Sequence, residues 1–135
     1  MSYRPYRRQG INPLWVIIGV TLVIFITTLI NREAIYLRFG LIPALIGESP
    51  WTIFTYIFVH SGWYHIFFNM LTLFFFGTFA MSLVGETAFL ITYFVGGMVG
   101  GLFYLAYALF IGNPLVPMVG ASGAVYALGG LLMAM

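Results

Sequence analysis

No cysteine, lysine or aspartate occurs in this 135-residue chain, and charged residues of any kind make up only 6% of it. The missing thiols exclude disulfides, thiolate nucleophiles and zinc–sulfur sites together. Five arginines against three glutamates leave a net charge of +2, too little for the basic stripe that binding nucleic acid requires, so nucleic acid is excluded as a partner. Soluble domains usually carry about 25% charged residues. This chain is 62% hydrophobic with a mean hydropathy of +1.06, and it cannot cover its apolar side chains by folding alone; its solvent must be lipid. No cofactor is implied. A metal site from His60 and His65 is disfavoured, because the pair is spaced i, i+5 with no carboxylate or cysteine beside it. Chemistry is left to hydroxyl, imidazole, amide and carboxylate groups.

The chain opens on a polar tail, residues 1–13, with Arg4, Arg7 and Arg8, ending in Asn12-Pro13, a helix-start signal. Leu14 to Ile30 gives about 17 residues of apolar character, roughly 25 Å of helix, enough to span a bilayer core when the flanks snorkel. A cleaved signal peptide fits less well: the run is too long, and Asn31-Arg32-Glu33 follows instead of a small-residue cleavage site. From Asn31 to Pro50, charges interleave with apolar residues, as in an interfacial, half-buried connection. Trp51 to Val59 is apolar but too short to cross as helix. A second span is expected from about Gly62 to Val84, a turn at Gly85-Glu86-Thr87, and a third span from Ala88 to about Ile111. Gly96, Gly97, Gly100 and Gly101 in that third span are helix-packing residues. The prolines of 112–119 make a loop, and Ser122 opens a fourth apolar segment of about 14 residues, roughly 21 Å, that reaches Met135 without a polar end. The expectation is an all-α polytopic bundle over 14–135 that continues past the last residue of this sequence.

The arginine bias of the tail predicts a cytoplasmic N-terminus in a plasma-membrane protein. With alternating crossings, spans two and four start at the same face, where their unusual residues lie: His65 and Asn69 in one, Ser122 in the other. His65 and Asn69 are spaced i, i+4 and share a helix face. They serve either as interhelical hydrogen-bonding groups or as polar groups of a site. His60 sits at the loop edge as an interfacial or supporting residue. Ser122, between Gly120 and Gly123, reads either as a helix N-cap or as a reactive hydroxyl beside unpartnered N–H groups that can bind developing negative charge. Tyr126 lies one turn further on the same face, as a packing aromatic or as a neighbour of whatever approaches the hydroxyl.

Taken jointly, His60-Ser61-Gly62-Trp63-Tyr64-His65-Ile66-Phe67-Phe68-Asn69 and Gly120-Ala121-Ser122-Gly123-Ala124-Val125-Tyr126 resemble the rhomboid family of intramembrane serine proteases. The resemblance extends to Trp51, Gly77 and Gly85. It implies a six-helix core, four helices of which are present here, that cleaves transmembrane protein substrates near the outer boundary of the bilayer. By the same resemblance Ser122 is the nucleophile, and His65, Asn69 and the Ser122 N–H form the oxyanion hole. Gly120 and Gly123 keep the turn tight, and Tyr126 matches the aromatic against which the family's catalytic histidine stacks. Gly129, Gly130 and Ala134 match the small face of a central helix. Losing one oxyanion donor typically costs about 10²–10³ in rate.

The departures are as specific as the matches. The family's general base is a histidine on the sixth helix, whereas this sequence holds only His60 and His65; a chain that stops early accounts for this better than a dead enzyme, since Ser122 and its glycines are intact. Met81 stands where many relatives place a glutamate, and Thr52 where many have an arginine. Two further readings stay open: an inactive relative that binds transmembrane helices, and a channel or transporter piece, which the lack of an intramembrane charge disfavours. Substrate identity and oligomeric state are not encoded legibly.

Overall fold

The computed structural model describes residues 10–135; Arg4, Arg7 and Arg8, on which the cytoplasmic N-terminus rests, lie outside the described residues. Helix α1, Pro13–Ile30, begins as the sequence predicts: Pro13 occupies the first turn, and the Asn12 side chain accepts the Leu14 N–H at 3.0 Å. Asn31 serves two helices. Its N–H closes α1 onto the Thr27 carbonyl, and its side chain accepts the Ala34 N–H at the start of α2, Arg32–Phe39. The buried Thr21 and Thr28 hydroxyls donate back to the Ile17 and Ile24 carbonyls, which satisfies them inside an apolar helix.

The connection that follows is irregular. A short turn at Pro43–Leu45, a single-turn helix α3, Thr52–Thr55, and another turn at Tyr56–Phe58 carry it toward α4. Side chains hold it in place: the Trp51 indole N–H donates to the Arg38 carbonyl at 2.8 Å and the Thr55 hydroxyl to the Phe39 carbonyl at 2.8 Å.

Helix α4 runs Trp63–Phe110 and bends at Gly85, whose φ of 86° and ψ of 171° are not helical. A Cβ at Gly85 would meet nothing within 4 Å, so glycine is needed there for its backbone freedom alone. The expected turn over Gly85-Glu86-Thr87 is thus a one-residue break, and Glu86 and Thr87 belong to the helix. The two arms, 63–84 and 86–110, are about 33 and 37 Å long at 1.5 Å per residue. Helix α5, Ser122–Met133, packs against α4.

Among the described residues, α1 and α4 are long and apolar enough to cross a membrane. Most of their surface is outward and apolar, with Ile30, Phe103 and Phe110 among the most exposed residues, the reverse of a soluble core helix and the pattern expected where lipid is the solvent. The core lies between the arms of α4, α5 and the connection, around Leu41, Tyr56, Leu73, Phe89, Tyr93 and Leu128. Small residues set the spacing, as expected from the glycines of the second arm. A Cβ on Gly96 would fall on the Cβ of Ala127, and one on Gly100 would stand 3.6 Å from the Gly123 Cα. Gly129 packs under Phe76, whereas Gly130 faces open space, so the small face expected at 129–130 is engaged at one residue only.

Candidate active site

The loop 112–121 delivers Ser122 to the bundle, and four backbone attachments fix its course. The Ala44 N–H donates to the Pro114 carbonyl at 2.9 Å, and Leu41 and Met118 exchange N–H···O bonds of 3.0 and 2.8 Å. The Gly120 N–H donates to the Tyr56 carbonyl at 3.0 Å, and the Ala121 N–H to His60 Nε2 at 3.3 Å. Attachments at 114, 118, 120 and 121 leave little freedom to the residue that follows.

Ser122 is the first helical residue of α5. The cap position is Ala121, and no side chain caps the helix, so the N-cap alternative for Ser122 is not what the fold adopts. Its hydroxyl has no hydrogen-bond partner among the described residues, and the first intrahelical bond from outside runs from the Val125 N–H to the Ala121 carbonyl. The N–H groups of Ser122, Gly123 and Ala124 are therefore left without backbone partners at the positive end of the helix. Ser122 lines a cavity of about 140 Å³ together with Phe68, Asn69, Thr72, Val125 and Tyr126. Two residues singled out on different spans, Asn69 and Ser122, thus share one cavity.

His65 meets the same loop from the first arm of α4. Gly120 has a φ of +114°, and a Cβ there would stand 2.6 Å from His65 Nε2 and 2.7 Å from Cε1. Only glycine permits both the backbone angle and the contact. On the other side of the ring, Nδ1 accepts the Ser61 N–H at 3.3 Å and lies 3.0 Å from the Ser61 hydroxyl. Asn69 donates one amide hydrogen to the His65 carbonyl at 2.8 Å, which fixes the side chain on the shared face and leaves its other N–H free.

His60, expected at the loop edge as an interfacial or supporting residue, is fully buried, at 0% exposure, which excludes the first of these. Its Nε2 takes the Ala121 N–H, its Nδ1 is buried without a hydrogen-bond partner, and its ring lies 4.9 Å from that of His65. Burial pushes its pKa down to about 4; the neighbouring His65 adds to the shift and the Phe58 backbone opposes it. A neutral His60 can accept the Ala121 N–H and a protonated one cannot, so the low pKa keeps the loop attached. Tyr126 is 77% exposed and lines both the Ser122 cavity and a second one of about 420 Å³ with Phe76, Gly129, Gly130, Leu132 and Met133. Gly123 is close-packed: a Cβ there would lie 3.5 Å from the Tyr56 hydroxyl. Among the described residues, no group of three or more His, Cys, Asp or Glu could hold a metal ion.

Tyr56 is the residue that sequence reasoning missed. It is fully buried, its carbonyl holds Gly120, and its hydroxyl donates to the Gly97 carbonyl at 2.5 Å. One residue therefore joins the connection, the second arm of α4 and the loop before Ser122. The available signal was a phenol inside an otherwise apolar run, whose hydroxyl must find a partner when buried.

The Rhomboid domain family matches residues 47–135, which include His60, His65, Asn69, Ser122 and Tyr126. The chain is 31% identical over 86 residues to the rhomboid-type protein YdcA of Bacillus subtilis (strain 168), covering 63% of this chain and 41% of that one. It is 31% identical over 87 residues to Inactive RHOMBOID-like protein 8 of Arabidopsis thaliana, covering 64% and 23%. Rhomboid protease GluP of Bacillus subtilis (strain 168) is 35% identical over 91 residues, covering 67% and 17%. The aligned region spans less than half the length of each of these relatives. With the domain match over well more than half its length and its long apolar helices, this chain is an integral membrane protein of the rhomboid family.

Proposed function

We propose that this chain carries the nucleophile of an intramembrane serine endopeptidase, in which Ser122 attacks a peptide carbonyl of a transmembrane protein substrate near the outer membrane boundary. The observation that carries the reading is the meeting of Ser122 and Asn69 in one cavity, with the His65 ring seated against Gly120 two residues before the serine. The Ser122 Oγ forms the bond to the carbonyl carbon, and the carbonyl oxygen takes the negative charge. In this reading the Ser122 N–H, the second Asn69 amide hydrogen and the His65 ring serve as the donors that receive it. In this reading the arms of α4 and helix α5 are three crossings after α1, the N-terminus is cytoplasmic and the membrane is the plasma membrane.

The Ser122 proton needs an acceptor. His60 Nε2 is occupied by the Ala121 N–H and His65 Nδ1 by Ser61, and no other imidazole exists in these 135 residues. A relative named as inactive among the matches supports a second reading, in which the protein binds transmembrane helices without cleaving them. A serine-directed fluorophosphonate applied to the full-length protein in detergent separates the two. Labelling lost in Ser122→Ala, together with loss of cleavage of a helical membrane substrate, supports the protease. A folded full-length protein that takes no label overturns the protease reading, and capture of a transmembrane helix by that protein supports the second.

A further inference from the structure

Among the described residues, Ser61 and His65 form the closest hydroxyl–imidazole pair, and neither the sequence motif nor the family match gives Ser61 a task. The Ser61 N–H faces His65 Nδ1 at 3.3 Å, a long contact that favours a lone pair on that nitrogen without fixing it. The Ser61 hydroxyl, 3.0 Å from the same atom, then donates as well. Neutral His65 holds its one ring proton on Nε2, the atom that a Gly120 Cβ would approach to 2.6 Å. His60 is set the other way, because the Ala121 N–H claims its Nε2 and leaves the proton on Nδ1. The two rings, 4.9 Å apart, thus meet a backbone N–H on opposite nitrogens, and the Ser61 hydroxyl gives His65 Nδ1 a second, shorter contact. Ser61 is itself tied down, since Arg32 at the start of α2 donates to its carbonyl at 3.1 Å.

We infer that Ser61 is a positioning residue that fixes His65 as the Nε2–H tautomer, so that the ring turns a donor toward the Ser122 loop. The inference rests on the proposed role of Ser122 and says which histidine atom serves it. Without Ser61 the ring could carry its proton on Nδ1 and present a lone pair where negative charge develops, which repels the charge instead of stabilising it. A rival assignment exists for the same geometry, in which Ser61 is itself a nucleophile and His65 its base. The Ser61 N–H argues against it: it shares the Nδ1 lone pair with the hydroxyl, and it would be left facing an Nδ1–H if the hydroxyl proton moved there.

The test uses the full-length protein with 15N-labelled histidine in detergent micelles or nanodiscs, read by long-range 15N–1H correlation, in which protonated and unprotonated ring nitrogens are well separated. The wild type should show one Nδ1–H and one Nε2–H histidine. Ser61→Ala keeps the backbone donor but loses the hydroxyl, so the Nε2–H pattern should become mixed, and fluorophosphonate labelling of Ser122 should fall about tenfold, the worth of one hydrogen bond. Ser61→Thr should restore both. Two histidines of the same tautomer in the wild type, an unchanged pattern and label in Ser61→Ala, or label found on Ser61, each overturn the assignment. Opposite tautomers that become mixed in Ser61→Ala, in a protein that never takes label at Ser122, support the Ser61–His65 pairing and overturn the protease reading instead.

Discussion

Gly120→Ala concentrates the constraints of the site in one methyl group. The residue sits at a φ of +114°, and its new Cβ would stand 2.6 Å from His65 Nε2 and 2.7 Å from Cε1. Forcing an L-residue into that backbone region costs of order 1–3 kcal/mol. Overpacking against a ring adds about 1–3 kcal/mol, for a total of about 2–6 kcal/mol. The ring cannot retreat freely, since Ser61 holds Nδ1 and the His60 ring stands 4.9 Å away. Nor can the loop, which is attached through Gly120 and Ala121 on either side of the new Cβ. Unfolding of the purified protein in mixed micelles, followed by circular dichroism, should show this destabilisation. Any folded fraction should lose about 10²-fold or more in fluorophosphonate reactivity at Ser122, because the displaced atom is a proposed oxyanion donor. Gly130→Ala is the control: it lies within α5, and a Cβ there meets nothing within 4 Å, so the substitution should be neutral or stabilise by about 0.5–1 kcal/mol. A Gly120→Ala protein as stable and as reactive as the wild type would refute the placement of His65 against this loop.

Three other perturbations probe separate parts of the frame. Gly96→Leu drives a side chain into Ala127 and should separate the second arm of α4 from α5, with an unfolding penalty of at least about 3 kcal/mol that Gly19→Leu, in open space on α1, should not show. Tyr56→Phe removes the hydroxyl bond to the Gly97 carbonyl but keeps the backbone bond to Gly120; it should cost about 1 kcal/mol and leave Ser122 labelling within a few-fold of wild type. For pH, the folded protein holds His60 near 4 against an ordinary value of 6.5, so the unfolded chain binds the proton first as pH falls. Stability should be full above pH 6.5, decline between 6.5 and 4, and level off after losing about 3 kcal/mol; that slope should shrink in a folded His60→Gln protein, and an equal slope there would assign it to another group.

Much of the architecture follows from features that are local in sequence. Asn12-Pro13 starts α1 where a capping residue before a proline should, and Gly62 marks the beginning of α4. The juxtaposition of Asn69 and Ser122 was legible only in part: alternating crossings put the starts of both helices at one membrane face, and the packing of α5 on α4 brings them into one cavity. Polarity in the middle of an apolar run is costly enough that each such residue signals a partner or a cavity. His65, Asn69 and Ser122 therefore stand out in the sequence itself as candidates.

The attachments of the loop were not legible, and the reason lies in which atoms make them. Leu41, Tyr56, Met118, Gly120 and Ala121 hold the Ser122 segment through backbone N–H and carbonyl groups, which every residue but proline possesses in full. No side-chain pattern announces them. His60 illustrates the same limit, since a histidine beside a loop is an ordinary surface feature until its ring is found beneath Ala121 with one nitrogen accepting and the other enclosed. The tautomer of His65 is a further step removed, because it depends on the direction of the Ser61 N–H, a property of the turn between the Tyr56–Phe58 segment and α4. The sequence thus names the candidate groups, while the backbone of a connection that carries none of them holds the loop that presents Ser122. Substitutions at Leu41 or Met118 that spare side-chain volume should consequently be silent, whereas a proline at either, removing one N–H of the reciprocal pair, should loosen Ser122 from a distance.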